Sequence, residues 1–454
     1  MRTCFLNPPY QARIIRRYNC TYHAPNFLFP PLELSYLASI VTSWKKTECL
    51  FIDAVAEALS LDKVIKRLKT YQPRLLVFMA GIETLAEDMR TISLIKASLA
   101  QLKTASIGYL PSLSPEKALT ENPALDYIIR DEPEISFSEL YDCLENNSFP
   151  ADLPGIAYRD NGGITIGRKR ERMKDLDLLP FPERGLLKAG LYNEFLLKKP
   201  FTTIQTSRGC PYECDFCIPT YGREIVYRSV DNVYREIEEA VAKYKVKTIR
   251  FMDDTFTLNK NRLLELCGLI LKRNLKFQWS CLSRVDTLDE EMLVLIKKAG
   301  CRRIYLGIET FSQRLLDYYQ KGYDAELIKP RVKMIKKNKI EVVGFFMVGA
   351  AQTEDEFKND IFLARQTGLD YIVAQKLTPY PGTAVFDNMK DICDEREALR
   401  REKEFYRAFY LRPGYAFSKI WRLLSNLEDA SCGRESLRSY LNKTQDSSPR
   451  PELI

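Results

Sequence analysis

Thr202-Thr-Ile-Gln-Thr-Ser-Arg-Gly-Cys-Pro-Tyr-Glu-Cys-Asp-Phe-Cys217 joins a short β-branched run to three cysteines, Cys210, Cys214 and Cys217, spaced by three residues and then two. A structural zinc takes four protein ligands, and a cubane of four irons and four sulfurs has four corners. Three thiolates on a cubane leave one iron open, and an open metal position is where substrate chemistry takes place. Two blander readings fit the same spacing: a zinc completed by a distant fourth ligand, and a structural cluster without chemistry.

Outward from this run the chain repeats strand and helix. Apolar runs at Thr202–Thr206, Thr248–Met252, Phe277–Cys281, Arg303–Gly307, Glu341–Val348 and Tyr371–Leu377 predict six strands. Amphipathic stretches at Val230–Tyr244, Lys260–Lys272, Asp289–Ala299, Ala325–Asn338 and Glu354–Thr367 predict the helices between them. Six such units predict an α/β fold with a partial (βα)6 TIM-type barrel, which carries chemistry at the carboxyl ends of its strands. The cysteines follow the first of these strands.

A second α/β segment precedes it. Runs at Thr3–Leu6, Glu48–Ile52, Leu75–Met79, Ala105–Gly108 and Tyr127–Ile129 alternate with helical stretches near Leu32–Ser43, Leu61–Thr70, Thr84–Gln101 and Ile135–Leu144. That rhythm predicts an N-terminal doubly wound parallel sheet of about five strands. Such sheets bind ligands beyond the carboxyl ends of their strands. No Gly-x-Gly-x-x-Gly follows the first strand, which argues against a dinucleotide. The predicted organisation is residues 1–145 for this domain and 146–199 for a linker with a hairpin at Asn161-Gly162. Residues 200–390 form the barrel and 391–454 a helical C-terminal tail. Phe405–Leu424 carries four basic residues, seven aromatics and no acid, which fits a cap packed on the barrel or a peripheral membrane contact. Pro413-Gly414 interrupts it and favours the cap; the last dozen residues read as disordered.

Composition narrows the function classes. Of 454 residues, 45% are hydrophobic and 28% charged, as in a soluble globular protein. A net charge of +8 spread over this length does not call for nucleic acid. Twelve cysteines without a leader-like start or a membrane-spanning run predict a reducing, cytoplasmic setting. A single histidine, His23, makes histidine-based zinc sites and Ser-His or Cys-His triads hard to build. The other nine cysteines form no second cluster spacing.

The cysteine run, with Gly209, Pro211 and Phe216 beside it, resembles the signature of the radical S-adenosylmethionine (SAM) enzymes. The resemblance implies a [4Fe-4S] cluster on Cys210, Cys214 and Cys217, with SAM chelating the open iron and cleaved by an electron to a 5′-deoxyadenosyl radical. Arg250-Phe-Met-Asp-Asp-Thr-Phe256 ends the second strand where the family contacts the methionine amino group. Asp253 and Asp254 are candidates for that contact, or for capping the next helix. The resemblance makes Arg284 the partner of the methionine carboxylate. In Tyr305-Leu-Gly-Ile-Glu-Thr310 it places Gly307 and Glu309 at the ribose or substrate. Phe216, Gly349 of the fifth strand and Pro379 of Pro379-Tyr-Pro-Gly382 complete the implied SAM contacts. Gly349-Ala-Ala-Gln-Thr353 departs from the family's usual Gly-Leu-Pro-Gly-Glu.

The first domain resembles the cobalamin-binding module that precedes this barrel in one branch of the family. The matching pieces are Asn7-Pro8-Pro9, Pro30-Pro-Leu-Glu-Leu-Ser-Tyr-Leu37, Phe51-Ile-Asp53 and Tyr127-Ile-Ile-Arg-Asp-Glu-Pro-Glu134. They imply Asn7, Pro8, Pro9, Asp53 and Glu132 as cofactor-binding residues. The Asp-x-His-x-x-Gly motif that ligates cobalt is missing, and His23 stands near its place with the wrong spacing. Asp131 replaces the family's usual glycine. The implied reaction is methyl transfer from methylcobalamin to an unactivated carbon of a small-molecule substrate, with an electron donor such as flavodoxin or ferredoxin. Radical cyclisation or ring contraction is the alternative within the branch. A transfer-RNA methylthiotransferase would want further cluster cysteines and a basic RNA-binding module, and no nucleic-acid partner is expected.

Overall fold

The computed structural model describes residues 1–23, 27–148, 152–160, 163–218, 220–349, 351–387, 394–412 and 415. The chain divides into a compact unit over Met1–Thr202 and a second beginning at Thr203.

In the first unit, β1 (Thr3–Asn7) is followed by a hairpin of β2 (Ile14–Arg17) and β3 (Cys20–His23), which the sequence reading missed. Then come β4 (Cys49–Asp53), β5 (Leu75–Met79), β6 (Lys103–Ile107), β7 (Tyr127–Ile129), β8 (Ile156–Asp160) and β9 (Gly163–Ile166). The sheet order is β4-β1-β5-β6-β7-β8-β9. The five expected strands pair in parallel, and β8 and β9 extend the sheet antiparallel from β7. The hairpin expected in the linker is therefore part of the first sheet; its turn residues 161–162 lie outside the described residues. Two buried apolar layers cover the sheet: Phe5, Val77, Ile107 and Phe137 belong to one, and Leu6, Phe78, Ile92 and Ile128 to the other. Runs buried on both faces are why these strands read as continuous apolar stretches. The first helix is α-helical over Leu32–Ser39 and continues as a π-turn over Ile40–Trp44.

In the second unit the strands are β10 (Phe201–Ile204), β11 (Ser207–Arg208), β12 (Val226–Tyr227), β13 (Thr248–Phe251), β14 (Gln278–Arg284), β15 (Cys301–Glu309), β16 (Glu341–Val348) and β17 (Tyr371–Lys376). Six of them form one sheet in sequential order, β10-β13-β14-β15-β16-β17. Helices between them bury one sheet face through Ile249, Phe251, Trp279, Ile304, Leu306 and Phe346. The alternate residues Leu282, Tyr305, Gly307, Phe345 and Val373 keep partial exposure on the opposite, concave face.

A partial barrel leaves a free edge at β17, and an uncovered edge invites pairing with other chains. The helix Glu395–Tyr410 covers it, burying Ala398, Arg401, Phe405 and Phe409. The Tyr410 hydroxyl accepts from the Ile372 amide (2.9 Å) and donates to the Ile372 carbonyl (3.0 Å). Tyr406 accepts from the Ala374 amide, and Tyr415 donates to the Asp370 carbonyl. Tyrosine hydroxyls thus stand in for a seventh strand. The aromatic richness of this segment belongs to a cap on the barrel as far as Tyr415, and 416–454 lie outside the described residues. No helix among the described residues is long and apolar enough to cross a membrane.

Candidate active site

The strand β10 delivers the chain to the sheet's carboxyl edge, where the cysteine loop leaves and returns through the antiparallel pair β11 and β12. Gly209 sits at φ +98°, and a Cβ there would meet the Glu224 carbonyl oxygen at 2.0 Å, so only glycine fits beside the first cysteine. The buried Asp253 carboxylate locks the loop base, accepting from the Thr206 amide (2.6 Å) and the Ser207 hydroxyl (2.8 Å). Arg262 adds bonds to the Thr206 hydroxyl and carbonyl. Of the two expected aspartates, Asp253 is thus engaged beneath the loop. The exposed Asp254 lies near enough to the thiols for its charge to push up both Cys210 and Cys217.

The three cysteines are electrostatic neighbours. Burial, then Asp254 and the other two thiols, push Cys217 up to about 12; burial also raises Cys210. A site that disfavours bare thiolates needs a cationic centre to deprotonate them, which bound iron supplies. Three thiolates are one short of a closed structural zinc site. Cubane ligands sit on separate irons, so the donor set fits a cluster better than a lone zinc.

Arg284 connects the loop to the rest of the rim. It is buried, with its guanidinium 3.5 Å from the centre of the Tyr212 ring and one nitrogen 3.8 Å from Cys214 Sγ. Its other nitrogens grip Asp286 at 3.0 Å twice and donate to the Lys321 carbonyl. A guanidinium this occupied buttresses the cluster loop. The expected role at the methionine carboxylate would require it to exchange partners.

Lys321 is the residue the sequence reading missed. Its ammonium lies 3.0 Å from Glu309 and 5.6 Å from the Phe216 ring centre, with both members of the ion pair buried. Phe216 packs edge-on against Tyr319 at 5.8 Å. Gly307 leaves room for this arrangement, since a Cβ there would stand 2.8 Å from Glu309 Oε1. Cys214, Phe216, Arg284, Lys321 and Glu309 therefore form a continuous contact chain along the rim. Gly349 ends β16, and Pro379 is half-buried in the loop after β17. No sequence spacing signals the Glu309–Lys321 pair, because the lysine reaches back across a helix.

The first unit's candidates behave differently. Asn7 and Asp53 end adjacent strands and bond to each other at 2.8 Å. Asp53 also accepts from the Tyr192 hydroxyl, and Asn7 from Arg16. Arg16, on the hairpin, is fully buried against Asp88 at 2.7 Å and donates to the Pro8 carbonyl. Asn7, Asp53 and Pro8 are thus buried within this network. Pro9, Tyr10 and Tyr109 are the half-exposed side chains at these strand ends. Glu132 is set apart, paired with Arg172 at 3.1 Å at the start of the helix Pro133–Glu145. Asp131, where glycine is usual, adopts φ +56°, which explains the preference for glycine there. The His23 backbone pairs with Ile14 across the hairpin.

Residues 204–364 match the model of the radical SAM superfamily. An uncharacterized methyltransferase of Pyrococcus horikoshii is 30% identical over 390 residues, 85% of this chain and 83% of the relative. An anaerobic magnesium-protoporphyrin IX monomethyl ester cyclase of Rubrivivax gelatinosus is 27% identical over 450 residues, covering 92% of this chain and 80% of the relative. Among solved structures, the cobalamin-dependent SAM radical enzyme OxsB, with aqua-cobalamin and SAM bound, superposes with a TM-score of 0.66 at 20% identity. That match covers 88% of this chain and 56% of OxsB, and it speaks to the fold. With the partial barrel, the three-thiol loop and a relative matched over most of its length in agreement, the chain belongs to the radical SAM superfamily, whose members bind a [4Fe-4S] cluster and S-adenosylmethionine.

Proposed function

We propose that this radical SAM enzyme holds its cluster on Cys210, Cys214 and Cys217, binds cobalamin on its first unit, and methylates an unactivated carbon of a small molecule. When bound, the cluster and SAM supply a hydrogen-abstracting radical, and cobalamin supplies a transferable methyl group. The observation that carries the reading is the three-thiol loop at the carboxyl rim of the six-stranded sheet, with the buried Glu309–Lys321 pair beside it. Asp254 and Glu309 offer carboxylates to the amino group and ribose of SAM, and Lys321 offers a cation to its carboxylate if Glu309 releases it. Phe216, Gly307, Gly349 and Pro379 would line the remaining contacts. Cobalamin is supported by the likeness in fold, over 88% of this chain, to the cobalamin-dependent enzyme OxsB, and by the half-exposed aromatics at the first sheet's edge. A small acidic redox protein, a flavodoxin or ferredoxin, would deliver the electron.

Cyclisation is the second reading, favoured by the relative named a cyclase, which matches over 92% of this chain. Anaerobic reconstitution with iron, sulfide and cobalamin, followed by SAM, a reductant and candidate substrates, separates the two. Methyl transfer yields S-adenosylhomocysteine together with 5′-deoxyadenosine. Turnover giving 5′-deoxyadenosine alone would favour the cyclase reading. Failure to retain a corrin would remove cobalamin from both.

A further inference from the structure

Glu309 has φ +65°, a left-handed backbone that costs energy for a residue with a Cβ, at the point where the β15–β16 register shifts. Such strain persists only where its surroundings enforce it, and it marks functional positions. Lys321 and the Tyr323 hydroxyl, which contacts the Gly307 (2.9 Å) and Ile308 (3.0 Å) carbonyls, hold it from one direction. A second grip comes from the helix Glu354–Gln366. There the Asp360 carboxylate accepts from the Phe311 amide at 2.6 Å, the Thr310 hydroxyl at 2.9 Å and the Gln352 side-chain amide at 2.9 Å. The Gln352 oxygen in turn lies 3.5 Å from the Gly349 amide. One side chain, 1% exposed, thus ties together the turns that follow β15 and β16.

We propose that Asp360 is a positioning residue for Glu309: it fixes the turn after β15, and through Gln352 the turn after β16, so that the Glu309 carboxylate is presented to SAM. The inference rests on the reading that Glu309 contacts SAM. A carboxylate at this depth is expensive where an apolar residue would pack, and three donors converge on it from loops rather than from its own helix. Burial pushes its pKa up to about 7, against the pull of the Phe311, Thr310 and Gln352 bonds, with the Glu356 charge adding to the rise. Tyr319 is the other titratable group whose pKa feels Asp360. Protonation on passing below pH 7 would remove an acceptor from the turn.

The test is SAM affinity of the cluster-loaded enzyme, read from the change that SAM makes in the reduced-cluster electron paramagnetic resonance signal, for Asp360→Asn, Glu309→Gln and the double variant. Each single variant should bind SAM about tenfold more weakly, and the double variant no more weakly than Glu309→Gln alone. Wild-type affinity should fall from pH 8 to pH 6, and the fall should vanish in Asp360→Asn. Thr310→Val, which removes one donor and keeps the shape, should show a smaller loss that also disappears in the Glu309→Gln background, and it serves if Asp360→Asn does not fold. Losses that multiply in the double variant, or wild-type affinity in Asp360→Asn, would overturn the proposal. Wild-type affinity in Glu309→Gln would instead overturn the reading of Glu309.

Discussion

Two sheets in this chain have parallel strands that end in loops at their carboxyl edges, and they use those edges in opposite ways. On the six-stranded sheet, Tyr212, Phe216 and Asp254 near the cysteines keep some exposure, while buried groups brace the rim: Asp253 under the loop, Arg284 beside Cys214 and Asp360 behind Glu309. On the first sheet, the polar side chains at the equivalent places turn on one another. Asn7, Asp53, Arg16 and Asp88 form a closed network under the hairpin. A strand-end position therefore identifies where a ligand is expected, but burial and partners decide whether a given side chain meets it or holds up one that does.

Four changes test that contrast, beginning with the largest effect. Cys214→Ala should leave the fold intact and abolish cluster binding, seen as loss of iron and of product; retained turnover would refute the three-thiol assignment. Arg16→Met leaves Asp88 buried without its cation and should destabilise the first unit by about 3–5 kcal/mol, measured by denaturant unfolding, while the barrel keeps its cluster. An unchanged midpoint would mean that the hairpin network contributes nothing. Tyr410→Phe removes the hydroxyl shared by the Ile372 amide and carbonyl at the β17 edge, and should cost about 1–2 kcal/mol and raise aggregation.

The smallest effect concerns Glu356, which caps its own helix and holds Ser312 and Arg314. Burial would raise its carboxyl, but Arg314, Ser312 and the Thr353 amide pull it down to about 2. A depressed pKa contributes stability above the unfolded value of 4.5, lost as pH falls toward 2. Glu356→Gln should therefore destabilise the protein slightly at pH 7, by about 1 kcal/mol or less, and approach wild type near pH 2. An equal gap at both pH values would assign the effect to packing.

How much was legible follows from the range over which each feature is encoded. The cysteine loop is a local spacing, and the strand Phe201–Ile204 before it lies in a local β-branched run, so both could be read directly. The β2–β3 hairpin was not, because Arg16 and Tyr18 point polar groups inward to partners at Asp88 and Ser112, far along the sequence. Lys321 and Asp360 were invisible for the same reason: their partners lie across a turn or a whole helix. The tyrosines of the helix Glu395–Tyr410 fit a cap or a membrane surface by composition, with the Pro413-Gly414 break favouring the cap, and their hydroxyls pair with the edge of β17.

The most direct test of the account is electron paramagnetic resonance of anaerobically reconstituted, reduced protein before and after SAM is added. The account predicts a [4Fe-4S] signal that shifts on addition and is absent in Cys214→Ala. Protein that binds no iron, or a cluster signal indifferent to SAM, would contradict it.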